Sequence, residues 1–241
     1  GQSLTGLIGE MPMTSAHVVA ILGQVLEALK ACHGQGVIHC DLKPGNLLLT
    51  AERHVYLADF GIARALEISG AETVDLSTRS GPFWGTPRYS PPEAWEGNQP
   101  DERWDIYSVG VLAYEALTAQ SAFSGSSPAA IMKDILLATP APLGSLRPDL
   151  SPEFVELVAD LMARNPADRP ESVDVALERL RHVPEFKSTF DETQTMQNPD
   201  EVRALSQSPR GARRKRAPWF SKTRMALAGS LVLVLACAFL M

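Results

Sequence analysis

Apolar residues recur at helical spacing along most of the first 183 residues. The pattern between Thr14 and Gln35 predicts a long amphipathic helix capped by Thr14 or Ser15. Its inward positions are Val18, Leu22, Val25, Leu29 and Cys32. A second helix, from Asp105 to Thr118, is apolar on nearly all sides, which places it in the core. Further helices are predicted at 128–138, 152–164 and 172–182.

Between the first two helices the pattern changes to short apolar runs that predict strands. These runs lie at 37–39, 47–50 and 54–58, and residues 51–53 turn the last two into a hairpin. Residues 62–92 are rich in Gly, Ser, Thr and Pro, which predicts a long surface loop of the kind that is usually functional or disordered. The fold class is therefore α+β and mainly α.

The last 58 residues differ in composition from this domain. Residues 184–224 are predicted to form a flexible linker that becomes basic, with seven Lys/Arg between 210 and 224. Residues 225–241 carry no charge and are dominated by Leu, Val and Ala, which predicts a membrane-spanning helix behind a positive cytoplasmic flank. The alternatives for the basic cluster are a nucleic-acid patch or a targeting signal, and the apolar run could instead be a buried terminal helix.

Composition narrows the class of protein further. With 45% hydrophobic residues in 241, the chain can bury one sizeable core. Its three cysteines have neither metal-ligand spacing nor an even count, so they support neither a zinc site nor a disulfide framework, and a reducing cytoplasm fits best. Residues 1–10 have no signal-peptide pattern and no initiating Met, so we expect the sequence to begin inside a longer protein.

Four motifs in order resemble those of protein kinases. The segment 39–46, His-Cys-Asp-Leu-Lys-Pro-Gly-Asn, is similar to the catalytic loop of that family, and Asp-Phe-Gly follows at 59–61. Residues 85–93, Gly-Thr-Pro-Arg-Tyr-Ser-Pro-Pro-Glu, resemble the family segment that ends in Ala-Pro-Glu, and 105–110 resemble its buried-helix motif. The resemblance covers residues 1–183 and implies the large, C-terminal lobe of a kinase domain.

The resemblance implies a role for each matched residue. Asp41 would orient the acceptor hydroxyl and take its proton, and Lys43 would steady the transferring phosphate. Asn46 and Asp59 would supply oxygen ligands to Mg²⁺, and Leu48 would lie beneath the adenine of ATP. Lys43 and Thr86 are typical of the serine/threonine branch.

Other matched residues are expected to be structural. Glu93 and Arg169 would form an ion pair, Asp105 would brace the catalytic loop, and His39 would pack in the core. The implied partners are ATP, Mg²⁺, protein substrates and the cell membrane, which a single C-terminal span would anchor with the kinase domain on the cytoplasmic side. A homodimer is compatible with this, and no nucleic acid is expected.

The sequence departs from the family pattern at two places. Cys40 occupies the position where the family usually has Arg, so we expect phosphorylation of Thr73, Ser77, Thr78 or Ser80 to activate only modestly, with partial compensation by Arg64. No Gly-rich loop or strand Lys precedes Thr14, so this sequence alone is expected to bind Mg·ATP weakly. Two rival hypotheses are a non-catalytic, pseudokinase-like binding module and a tail-anchored adaptor.

Overall fold

The computed structural model describes residues 2–8, 11–51, 53–59, 64–65 and 87–187. Helix α1 spans Ser15–His33 and begins where the Thr14 hydroxyl accepts a hydrogen bond from the His17 amide. Nine of its residues are buried, in agreement with the apolar face predicted from the sequence. Within the described residues, α1 is also the one helix long and apolar enough to cross a membrane. Its buried face identifies it instead as a core helix.

Helix α3, Glu102–Thr118, runs through the centre of the lobe. Asp101 caps it by accepting a hydrogen bond from the Arg103 amide, which is why the helix starts three residues before the predicted Asp105. Every residue from Trp104 to Thr118 is buried. The helix ends at Ala119, whose backbone is left-handed, with φ of 54°.

The remaining helices pack around these two. They are α2 (Pro92–Trp95), α4 (Pro128–Leu137), α5 (Leu143–Leu146), α6 (Pro152–Leu161) and α7 (Val173–His182). The α1 helix packs on α7 and α3, and α6 crosses α3, so that one continuous core joins all four. A smaller cluster beneath α4 contains Tyr107, Val111, Phe123, Ile131 and Ile135.

Two small antiparallel sheets lie at one end of this helical core. Strands β3 (Leu47–Leu49) and β4 (Val55–Leu57) form the predicted hairpin, and β1 (Gln2–Ser3) pairs with the other edge of β3. Strand β2 (Val37–Ile38) pairs with β5 (Arg64–Ala65). The segments between these strands carry the residues that the sequence singled out.

The predicted elements are confirmed, with shifts of up to three residues at their ends. Helix α6 ends at Leu161, three residues before the predicted boundary at 164. The folded part also continues beyond residue 183, because Glu185 accepts hydrogen bonds from the amide and hydroxyl of Ser151, and Phe186 packs against the core. Residues 188–241, which include most of the predicted linker and the predicted membrane span, lie outside the described part of the chain.

Candidate active site

The buried carboxylate of Asp105 holds the loop that carries Asp41. Its side chain is 0% exposed and accepts hydrogen bonds from the backbone amides of His39 and Cys40, at 2.8 and 2.9 Å. His33 Nε2 lies 2.8 Å from the same carboxylate. A buried carboxylate is stable only when its oxygens are hydrogen-bonded, so the loop and the start of α3 require each other. This is the bracing role expected for Asp105.

His39 is fully buried and takes part in backbone hydrogen bonds at both ring nitrogens. Nδ1 accepts from the Asp41 amide at 3.3 Å, which leaves Nε2 to donate to the carbonyl oxygen of Ala58 at 3.3 Å. The ring therefore serves as a structural link. It joins the loop of Asp41 to the strand that leads into Asp59.

Asp41, Lys43 and Asn46 meet in one cluster. The Lys43 ammonium donates to Asp41 Oδ2 at 2.7 Å, and the Asn46 amide donates to the same oxygen at 3.2 Å and to the Asp41 carbonyl oxygen at 2.8 Å. A turn at Pro44–Asn46 brings the three together within a stretch of six residues. The Asp41 side chain is 16% exposed, so it remains reachable from solvent while its orientation is fixed from two sides.

Leu48 lies in the hairpin that follows this cluster in the chain, and Asp59 comes just after that hairpin. Leu48 lies in the middle of the three-stranded sheet, opposite Ser3 on one side and Tyr56 on the other, and is half-buried. Asp59 follows β4 and is exposed, with a left-handed φ of 50°. The Ala58 amide donates to the Asn46 carbonyl oxygen at 2.8 Å, which holds the backbone just before Asp59 in place. Phe60 and Gly61, the rest of that motif, lie outside the described residues.

Cys40, the residue that replaces the family's Arg, is held in an unusual backbone conformation. Its φ is 62°, a left-handed value that residues other than Gly seldom adopt. The thiol lies 3.7 Å from the carbonyl oxygen of Ile38. The effect of this replacement on loop phosphorylation stays a prediction, because Thr73, Ser77, Thr78 and Ser80 lie outside the described residues and only the backbone of Arg64 is described.

A second group of contacts, which sequence analysis missed, anchors the segment at 87–90. The Ser108 hydroxyl on α3 donates to the Tyr89 carbonyl oxygen at 2.8 Å, and the Tyr89 hydroxyl donates to the buried carboxylate of Glu115. Arg88 donates to Ser121 and Phe123 across the loop between α3 and α4. The available sequence signal was a carboxylate, Glu115, among the apolar residues at 109–117.

Burial dominates the electrostatics of this second group. It raises the pKa of Glu115 above the ordinary value of 4.5, against the opposing effects of the Tyr89 hydrogen bond and the Arg88 charge. Burial also raises the pKa of Tyr89 well above 10, with Glu115 adding to the effect. Tyr89 therefore stays protonated and serves as a hydrogen-bond donor to Glu115.

The Glu93 and Arg169 side chains form the expected ion pair beneath α2. Two parallel hydrogen bonds of 2.6 and 2.8 Å join them, and their side chains are 7% and 0% exposed. The Arg169 guanidinium also lies 4.9 Å from the centre of the Tyr107 ring. The pair fixes α2 to the segment before α7 and therefore has a structural role.

The oxygen atoms offered by Asn46 and Asp59 fit a magnesium ion whose other ligands are waters and substrate phosphates. Within the described residues no group of three or more His, Cys, Asp and Glu side chains converges on one point. Mg²⁺ is usually held by one or two carboxylates together with waters and substrate phosphates, so it needs no such group. The hydrogen bonds of Asn46 to Asp41 use its amide nitrogen, so its amide oxygen is left available for an ion of this kind.

Comparisons with known proteins found a matching family model and several similar proteins. The family model described as the protein kinase domain matches residues 1–182. The serine/threonine-protein kinase pkn3 of Myxococcus xanthus is 36% identical over 198 residues, which are 79% of this chain and 36% of that protein. The kinase PknL of Mycobacterium tuberculosis is 41% identical over 163 residues, 68% of this chain and 39% of PknL. PknB of the same species is 34% identical over 160 residues, 66% of this chain and 25% of PknB.

Proposed function

From the premise that this chain belongs to the protein kinase family, we propose that it is the acceptor-binding lobe of a serine/threonine protein kinase. The reaction would transfer the γ-phosphate of ATP to a serine or threonine hydroxyl of another protein. The observation that carries the proposal is the cluster of Asp41, Lys43 and Asn46, in which a reachable carboxylate is oriented by an ammonium and an amide. The serine/threonine kinases pkn3, PknL and PknB support the branch.

In the proposed reaction Asp41 accepts the proton of the acceptor hydroxyl. The oxygen forms a new bond to the γ-phosphorus, the bond from that phosphorus to the bridging oxygen of ADP breaks, and the proton moves to the Asp41 carboxylate. Lys43 stays 2.7 Å from Asp41 and brings a positive charge to the place where the transferring phosphate would lie. Asn46 keeps the carboxylate in position.

Asn46 and Asp59 are the residues proposed to hold Mg²⁺. The ion would neutralise phosphate charge on ATP when it is bound. Leu48, at the centre of the sheet, would supply an apolar surface for adenine. The matched part of the chain spans 25% to 39% of these three relatives' lengths.

The pseudokinase-like module is the less favoured alternative. It rests on Cys40, whereas Asp41, Lys43, Asn46 and Asp59 are all present. An adaptor would not need a carboxylate held by two donors near the surface. We therefore retain the enzyme as the proposed function.

The test is activity in a chimera that joins a relative's ATP-binding lobe to residue 1 of this chain. Asp41→Asn should lower the rate of phosphorylation of a generic protein substrate by about 10²- to 10⁴-fold, because the proton acceptor is lost. Asp149→Asn, which alters an exposed carboxylate paired with Arg147, is the matched control and should keep the full rate. A rate within tenfold of the parent for Asp41→Asn would refute the role of Asp41.

We also propose that residues 210–241 anchor the protein in the cell membrane. The support is the sequence pattern of seven basic residues followed by 17 uncharged ones. The kinase domain would then face the cytoplasm as a membrane-tethered signalling enzyme.

A further inference from the structure

Strand β4 is the outer strand of the three-stranded sheet, so one of its edges faces away from β3. Such an edge presents backbone N–H and C=O groups that no strand pairs with. At the start of β4 the side-chain amide of Gln24, on α1, takes the place of a further strand. Its Oε1 accepts a hydrogen bond from the Val55 amide, and its Nε2 donates to the Arg53 carbonyl oxygen, both at 3.0 Å.

The Gln24 amide is held in one orientation. Its Nε2 also donates to the carbonyl oxygen of Ala20, one turn earlier on α1, at 3.3 Å, so both polar atoms of the amide have partners. Its neighbours Leu22, Val25 and Leu26 are all buried in the core. The helix beneath Gln24 therefore cannot shift without disturbing that core, which makes the side chain a firm anchor for the hairpin.

The other end of β4 is attached to the candidate active site. The Ala58 amide donates to the Asn46 carbonyl oxygen at 2.8 Å, and the His39 ring lies 3.3 Å from the Ala58 carbonyl oxygen. Asp59 follows Ala58 directly. Four residues separate Val55 from Asp59, which is roughly 13 Å of extended chain. The strand is thus held at its start by Gln24 and at its end by the segment that carries Asp41.

The position of Asp59 depends on the strand that precedes it. Asp59 is exposed and has a left-handed φ of 50°. A residue other than glycine keeps such a conformation only where the surrounding structure holds it. The pairing of β3 with β4 also sets Leu48 opposite Tyr56. Fraying of β4 would therefore displace both the proposed metal ligand and the surface proposed for adenine.

We infer that Gln24 is a positioning residue, which holds β4 so that Asp59 stays where it can bind Mg²⁺. Gln24 contacts no reacting group and acts through the strand. The inference rests on the proposed function, because Asp59 is a metal ligand only in that proposal. Elements with few buried contacts open locally when a tether is removed, so loss of the Gln24 amide should loosen β4 before it affects the rest of the lobe.

The first measurement is amide hydrogen exchange in the full chain. Gln24→Met keeps the length of the side chain and removes its donor and acceptor. We expect the Val55 and Ala58 amides to exchange about tenfold faster in this variant, as the loss of two hydrogen bonds should cause. Glu27→Gln, which alters an exposed ion pair of the same helix with Arg181, is the matched control and should leave both rates unchanged. Unchanged rates in Gln24→Met would overturn the inference.

The second measurement separates positioning from mere stability. Mn²⁺ accepts the same oxygen ligands as Mg²⁺, and its binding together with ATP can be followed by electron paramagnetic resonance without turnover. In the chimera with a relative's ATP-binding lobe, Gln24→Met should weaken Mn²⁺ binding about fivefold, because fewer molecules hold Asp59 in place. Glu27→Gln should stay within twofold of the parent. Parent-like affinity in Gln24→Met would show a purely structural role and overturn the inference.

Two further variants make the outcome decisive. Asp59→Asn should weaken Mn²⁺ binding more than Gln24→Met does, and no effect of Asp59→Asn would refute the proposed metal role and this inference together. An effect of Asp59→Asn without one of Gln24→Met would refute this inference alone. If Gln24→Met folds poorly by circular dichroism, Gln24→Glu replaces it. This variant keeps the acceptor for Val55 but loses the donor for Arg53, so its Mn²⁺ affinity should lie below that of the parent, and equal affinity would overturn the inference.

Discussion

At the scale of single residues, Arg169 has the most complete set of contacts in the lobe. Its five N–H groups reach the two carboxylate oxygens of Glu93 and the carbonyl oxygens of Ala163, Arg103 and Arg164. Three separate stretches of chain thus meet at one buried cation. Its removal from water is compensated only as long as Glu93 remains charged and in place.

Replacing Glu93 by Gln should therefore lower the free energy of unfolding by about 3 to 5 kcal/mol, because it leaves a buried guanidinium without its counter-charge. Urea denaturation of the described lobe measures the loss. The control is Asp160→Asn. The side chain of Asp160 is 37% exposed and that of its ion-pair partner Arg179 is 36% exposed. We expect a loss of at most about 1 kcal/mol in this variant. Equal losses in the two variants would contradict the structural role of the buried pair.

Glu115 should make stability depend on pH in a defined direction. Burial raises its pKa in the folded state, so the folded state binds its proton more tightly than the unfolded state does. This contribution is complete below the ordinary value of 4.5 and is lost as the pH rises through the folded-state pKa. Relative to Glu115→Gln, the parent should thus become less stable as the pH increases above 4.5.

Unfolding by urea at several pH values between 3.5 and about 8 measures this difference. A stability difference between parent and Glu115→Gln that stays constant over the range would show that the carboxylate has the same pKa in both states. Asp149→Asn provides the opposite control. The hydrogen bond from Arg147 lowers the pKa of Asp149, so its stabilising contribution is lost as the pH falls.

Sequence alone could single out Asp41, Lys43, Asn46 and Asp59 as candidate site residues, because motif order and spacing can be seen in the sequence. It could not identify the anchoring contacts of Arg88, since its partners at Ser121 and Phe123 are more than thirty residues away. The same limit applies to the Tyr89 contact with Glu115, which spans 26 residues. Contacts between distant segments depend on how the helices cross, and the pattern of a single sequence does not predict that crossing.

At the scale of elements, the crossing of α3 and α6 depends on the absence of a side chain at Gly110. A Cβ there would lie 2.7 Å from Met162 Cγ and 2.8 Å from Leu161 Cβ, far closer than atoms in contact. The two helices are therefore packed as closely as their backbones permit. The predicted pattern of α3, apolar on nearly all sides, indicated burial but gave no sign of which helix would come this close.

Gly110→Ala should destabilise the lobe by about 1 to 3 kcal/mol, the usual effect of adding a methyl group to a full core. Thermal denaturation followed by circular dichroism measures it. Gly144→Ala is the matched control, because a Cβ at 144 lies 3.6 Å from Val155, an ordinary contact distance. If Gly110→Ala unfolded at the same temperature as Gly144→Ala, the close crossing would be wrong.

The ends of the elements were less predictable than their existence. Helix α3 starts early because of the Asp101 cap and terminates at Ala119, which adopts a left-handed conformation without being a glycine. The spacing of apolar residues predicts neither the cap at Asp101 nor the left-handed conformation of Ala119. The hairpin at β3 and β4 was located more accurately, since two apolar strands flank a short polar turn.

At the scale of the whole molecule, charge is divided unevenly along the chain. Residues 202–241 contain eight Lys/Arg and no Asp/Glu, so the other residues carry a net charge of −14 against the overall −6. Basic residues beside an apolar span stay on the cytoplasmic side during insertion. We therefore predict that residues 1–224 face the cytoplasm.

Protease added outside intact cells should leave the domain undigested, and permeabilised cells should lose it. In a control variant with Gln at the seven basic positions between 210 and 224, a fraction of the molecules should become accessible from outside. Digestion of the parent domain in intact cells would contradict the predicted orientation.

Helix α3 holds both the loop of Asp41, through Asp105, and the segment at 87–90, through Ser108 and Glu115. Since every residue from Trp104 to Thr118 is buried, α3 belongs to the part of a protein that opens only when the whole domain unfolds. Its amide protons should exchange with solvent last. Any regulator of such a site would have to move the loops above the helix, because unfolding α3 would unfold the whole lobe.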